Sequence, residues 1–284
     1  MLPVSEALTG RLAVEEYAPT VAPVLDRLEQ TAGIGLPTAL VDDTAHTVAA
    51  VHLATPRPVF AEPHHAALRF AEQFTVDVSS LDADTRKAML AALGNDAFAY
   101  TQTAYLLDVI GRARLVLDAL FGTSAPEAPG ADPFDDLWSG IETFLAVVPS
   151  LQALDPVTTD LIRLRLAAHH NCRLCKSLRS YSALEADAAY DEVDVNDATR
   201  SALALVDAFA WTPARLGPGL VHDVRSSFTP AQQVEIVLDT ARNAANKVAV
   251  ALGADAPHVT SGYEVYDVAP DGSITYGMEH PGVR

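Results

Sequence analysis

Two long stretches of the chain carry an apolar stripe at helical spacing. In the first, apolar side chains fall at 105, 106, 109, 110, 113, 116, 117, 120 and 121; in the second, at 234, 237, 238, 241, 244, 245, 248 and 252. Steps of three and four put each set on one face of a helix, so each stretch is predicted to be a helix with one buried side. Asn95 or Asp96 precedes the first as N-cap, and Thr229 before Pro230 precedes the second. Gly122 and Gly253 close them.

The Leu107-Asp108 and Leu238-Asp239 pairs keep the same offset as the two closing glycines, and residues 66–74 resemble residues 201–209 further upstream. Two matched segments in the same order predict an internal duplication. The three prolines and the glycine of residues 123–133 forbid a continuous helix there, which sets the expected boundary. Residues 1–125 are thus read as one unit and 134–253 as a second. After Gly253 the pattern changes: 263–268, a turn through Asp271 and Gly272, and 273–276 read as strand, turn, strand. Residues 254–284 are expected to form a hairpin arm that packs on its own chain or on a neighbouring subunit, since isolated hairpins are marginal in water.

Composition narrows the class. Hydrophobic residues make up 49% of 284 residues and aromatics only 7%, which favours helices over a β-sandwich. The expected fold is all-α, a duplicated helical bundle with a C-terminal β-hairpin tail. A formal charge of -18 repels a phosphate backbone, so nucleic acid is not an expected partner. No apolar run long enough for a bilayer appears, and residues 1–6 lack the basic start of a signal peptide, so the expected place is the cytoplasm, away from membranes.

Both cysteines lie within four residues, Cys172 and Cys175, too close to staple a fold. In a reducing compartment such a pair serves chemistry or metal binding. Asp155 and Pro156 open a helix expected to end around His169 and His170. Asn171 is then expected to cap a second helix beginning at Cys172 and running through Leu178, Tyr181 and Leu184. A helix start stabilises a thiolate. From Leu161 to Leu184 there is no Asp or Glu, while Arg163, Arg165, Arg173, Lys176 and Arg179 all fall there, a basic patch in an acidic chain. Three residues apart on a helix, one sulfur attacks and the other resolves. The alternatives are two inert buried cysteines and a zinc site drawn from His169, His170, Cys172 and Cys175.

Residues 160–180 resemble the active-site helices of the alkylhydroperoxidase D-like branch of the carboxymuconolactone decarboxylase family, whose pattern is Glu, eleven residues, C-x-x-C, three residues, His. The likeness extends over about residues 140 to 253, with residues 26–122 as a copy lacking cysteines. It implies a helical fold that forms homo-oligomers, needs no cofactor, and reduces a hydroperoxide substrate. Cys175 would be the peroxidatic residue and Cys172 the resolving one, with a lipoyl- or thioredoxin-like dithiol as reductant. Two positions depart from the pattern. Asp160 stands where the family has Glu, and Arg179, which accepts no proton, stands where it has His. His169 and His170 are the substitute bases by proximity, and Arg179 is a candidate to hold a thiolate by charge. Lactone decarboxylation, as in the founding branch, and a non-catalytic redox-sensing or assembly role are the competing functions.

Overall fold

The computed structural model describes residues 9–59, 62–123, 131–186, 195–269 and 271–282. The first half contains α1 (Gly10–Tyr17), α2 (Ala22–Thr31), α3 (Thr38–Leu53), α4 (His65–Asp77), α5 (Ala83–Leu93) and α6 (Ala97–Phe121). The second contains α7 (Leu137–Val147), α8 (Pro156–His169), α9 (Arg173–Lys176), β1 (Leu178–Ser180), α10 (Tyr181–Glu185), α11 (Asp197–Trp211), α12 (Pro218–Ser227), α13 (Pro230–Asn243) and α14 (Asn246–Leu252). The strands β2 (Glu264–Val268) and β3 (Ile274–Tyr276) follow. The fold is helical with a small C-terminal sheet, and no helix of the described residues is long and apolar enough to cross a membrane. Residues 124–130, most of the expected linker, lie outside the described residues.

Local chemistry sets the helix starts. The Asp155 carboxylate accepts the Thr158 N–H at 2.9 Å, with Pro156 at the first helical position. Thr229 and Gln232 form a reciprocal capping box around Pro230. Gly253 closes α14 in the left-handed conformation, at φ 72°. The apolar faces of α6 and α13 pack together, and buried residues from α1 to α14 form one continuous core that includes Phe74, Tyr105, Ile162, Phe209 and Leu238.

Two expected helices are interrupted. The helix read from Thr229 to Gly253 breaks at Ala244 and Ala245, where Ala245, Lys247 and Val248 give their N–H groups three residues back rather than four. The tightened turn points Asn246 and Lys247 inward: Asn246 to the cysteines, Lys247 to Asp108. The helix read from Cys172 through Leu184 ends at Lys176, because residues 178–180 join a sheet instead.

That sheet carries the tail. β1 pairs parallel with β2, with Leu178 opposite Glu264 and Ser180 opposite Tyr266, and β2 pairs antiparallel with β3. The hairpin therefore packs on its own chain, against the segment that follows the cysteines. Its turn needs Gly272, at φ 82°, where any side chain would collide with the Ala146 carbonyl at the end of α7.

Candidate functional site

Cys172 is the N-cap of α9 rather than a residue of its first turn, and its Sγ accepts the Cys175 N–H at 3.2 Å. Only 1% of Cys172 is exposed, whereas Cys175 is half-buried. Both are free thiols. The short α9 is held from outside. Asp255, just past α14, accepts the Arg173 N–H at 2.9 Å and pairs with the Arg173 guanidinium at 2.7 Å, while its carbonyl accepts the Leu174 N–H.

The Cys175 sulfur receives the Asn246 Nδ2–H at 3.5 Å and lies beside the Arg163 charge. The hydrogen bond from Cys172 holds the Cys175 thiol down to about 7, against burial, with Asn246 and Arg163 adding to the effect. Donating that proton pushes the Cys172 thiol up, and burial pushes it further. The two sulfurs thus share a proton that leaves charge on Cys175.

His170 and His169 separate at the end of α8. Asn246 Oδ1 takes the hydrogen of His170 Nδ1 at 2.7 Å, so a chain of contacts runs from His170 through Asn246 to Cys175. Burial, followed by the charge of Lys247, lowers His170 to about 3, and the ring is neutral. His169 faces another way: its Nε2 gives its hydrogen to Asp207 at 2.5 Å and its Nδ1 accepts from Trp211 Nε1 at 3.2 Å. Among the described residues no three His, Cys, Asp or Glu side chains are placed to hold a metal.

Asp160 touches the cysteine segment through Arg163. Its Oδ1 accepts Arg163 Nε at 2.7 Å and its Oδ2 accepts the Ser180 N–H at 3.3 Å. The buried Arg163 guanidinium then donates to the carbonyls of Cys175 at 2.7 Å and Leu178 at 2.9 Å, and lies over the Tyr266 ring of β2. Asp160 therefore orients the arginine that braces the cysteine segment. Arg179 donates to the carbonyls of Lys176 and Leu178 and stands over Tyr263. The expected basic patch is compensated by acids from distant segments: Arg165 pairs with Asp207, Arg173 with Asp255.

Asn246, Asp255 and Tyr266 also touch the cysteine segment or its brace, and none belongs to the residues expected there. Asn246 sits with Asn243 and Lys247 in an otherwise Ala- and Val-rich helix pattern, and that polar interruption was the available signal. Asp255 and Tyr266 gave none, since their roles depend on where the tail docks.

The chain is 42% identical over 225 residues to Uncharacterized protein Rv2313c of Mycobacterium tuberculosis (strain ATCC 25618 / H37Rv), which covers 73% of this chain and 79% of the relative. The same identity and coverage hold for Uncharacterized protein MT2376 of Mycobacterium tuberculosis (strain CDC 1551 / Oshkosh). The chain belongs to their family. No family model matches it, and no solved structure does either.

Proposed function

We propose that this protein is a thiol-dependent peroxidase or disulfide reductase of the alkylhydroperoxidase D-like kind. The observation that carries the reading is the sulfur of a partly exposed Cys175, with hydrogen bonds from the Cys172 thiol and the Asn246 amide, beside the Arg163 charge. The Cys175 thiolate attacks the terminal oxygen of a hydroperoxide. A sulfur–oxygen bond forms, the oxygen–oxygen bond breaks, and the alkoxide leaves as the alcohol after taking a proton from solvent. Sulfur is oxidised by two electrons and the peroxide reduced by two. Cys172 then attacks the Cys175 sulfenic acid, releasing water and closing a disulfide. A dithiol of the lipoyl or thioredoxin type reduces it by exchange, restoring both thiols and leaving as its own disulfide.

In this reading His170 is a positioning residue that fixes Asn246, and Asp160 fixes Arg163. A homo-oligomer in the cytoplasm belongs to the same proposal, and sedimentation at monomer mass would count against it. The first experiment is organic hydroperoxide consumption with dihydrolipoamide, comparing wild type, Cys175→Ser and Cys172→Ser. Turnover in wild type that both variants lose supports the proposal; turnover that survives Cys175→Ser refutes it. A second reading, a redox sensor, is favoured by the pairing of β1 with β2, which ties the tail to the cysteine segment. Thiols that oxidise once and do not turn over would favour it.

A further inference from the structure

The Asp160–Arg163 pair that braces the cysteine segment also borders a second chemical environment. A cavity of about 350 Å³ opens between α8, α13, β1 and β2, within the usual range for small-molecule sites. Six charged side chains line it: Asp160, Arg163, Glu235, Asp239, Arg242 and Asp267. Most are already engaged. Asp160 pairs with Arg163, Glu235 accepts the N–H groups of Ala153 and Leu154, and Asp267 accepts the Ser182 hydroxyl. Arg242 gives Nε to the Leu145 carbonyl.

Asp239 is the exception. It is 5% exposed, and no hydrogen-bond donor among the described residues reaches its carboxylate. Asp108 shows how such a group is satisfied: it stands at the same distance before Gly122 as Asp239 does before Gly253, and it receives His52, Arg112 and Lys247. In place of Arg112, four residues along, α13 has Asn243, whose amide turns back to the Asp239 carbonyl oxygen of the main chain. The Asp239 oxygens are not sealed in the core but open on the cavity, so their donor comes from whatever fills it.

We propose that this cavity binds a small organic cation, an aliphatic amine whose ammonium pairs with Asp239. Four carboxylates against two arginines leave the lining negative, and a protonated amine offers up to three donors to it. Leu151, Leu154 and Val268 give its carbon chain an apolar wall. An inorganic metal ion fits less well, since no three acidic side chains among the described residues converge. The groups around Asp239 are Glu235 and Arg242 on its own helix, Asp160 and Arg163 from α8, and Tyr266 and Asp267 from β2. Burial first, then Glu235, raises Asp239 to about 7 against the pull of Arg242, so the empty site holds it protonated in mild acid. Binding the ammonium ionises it and sends one proton to the buffer, while the amine keeps its own.

Calorimetry of the full chain with putrescine, near pH 6 and in buffers of different ionisation heat, tests this. The uncharged diol of the same carbon chain is the control. The expected result is saturable putrescine binding, close to one proton released per molecule, no comparable binding of the diol, and at least a ~10-fold loss of affinity in Asp239→Asn. Absence of putrescine binding, binding without proton release, equal binding of the diol, or unchanged affinity in a folded Asp239→Asn would each overturn the proposal. The proton count is read on wild type and holds even if the variant fails to fold.

Discussion

Asn246 joins His170 to Cys175, taking the imidazole hydrogen on its Oδ1 at 2.7 Å and giving its Nδ2–H to the sulfur at 3.5 Å. A neutral, buried imidazole cannot serve as a proton acceptor for a thiol it does not touch, but it fixes which face of the amide the sulfur meets. With its oxygen on His170, the amide presents its nitrogen to the sulfur. A half-buried thiol on a short helix thereby gains a directed donor that a helix of four residues would not supply by its dipole.

Replacing Asn246 by Ala should raise the Cys175 thiol by about 1 pH unit, the equivalent of one hydrogen bond to a charged group. Thiolate absorbance followed against pH measures this. An unchanged titration would place the control of Cys175 entirely in Cys172 and Arg163.

Alkylation should discriminate between the two thiols. With Cys175 at about 7 and Cys172 pushed up, iodoacetamide at neutral pH should label Cys175 first, at a rate that rises with pH through about 7. Cys172→Ser removes the first cause of the lowering, and the rate profile of Cys175 should move to higher pH. Peptide mapping after brief labelling reads both outcomes, and preferential labelling of Cys172 would reverse the assignment of attacker and resolver.

Asp239 makes stability depend on pH in an unusual sense. Its folded value, about 7, lies above that of an unfolded aspartate, so its contribution is fully present in acid and is lost as pH rises from about 4 through about 7. Asp239→Asn should therefore be more stable than wild type at pH 8, by on the order of 4 kcal/mol. The gap should close below about pH 4. Urea unfolding of both proteins across this range gives the difference, and a variant that is less stable at pH 8 would contradict it.

Asp108 is the opposite case. It is buried with His52 at 2.7 Å, Arg112 at 2.6 Å and the Lys247 ammonium, and the charges of Arg112 and Lys247, with the His52 hydrogen bond, hold its carboxyl well below the usual range despite burial. Asp108→Ala leaves two buried cations without their anion and should cost about 3–5 kcal/mol, measured by denaturant unfolding. A loss under about 1 kcal/mol would mean that Arg112, which also donates to the carbonyls of Thr75, Phe209 and Ala210, is sufficiently compensated by the main chain.

Short-range signals were legible and long-range ones were not. Asp155 with Pro156, Thr229 with Pro230, and the glycines at 122 and 253 marked helix ends correctly because caps act within one turn. The hairpin was legible from alternation and the Asp271-Gly272 turn. The end of the second cysteine helix at Lys176 was not, because β2 competes for residues 178–180 from far along the chain. The same holds for the apparent basic patch: Asp207 and Asp255 are invisible to a reading confined to residues 161–184. Periodicity also ran through Ala244 and Ala245 without registering the turn that aims Asn246 at the sulfur.

The docking of β2 beside β1 has a consequence for how the protein is made. Asp255, which holds α9, and Val265, which pairs with Arg179, are synthesised long after the cysteines have left the ribosome. During that interval the segment after Cys175 lacks its sheet partner and Arg173 lacks its acid. The thiol environment described for the folded chain is therefore complete only after synthesis reaches β2.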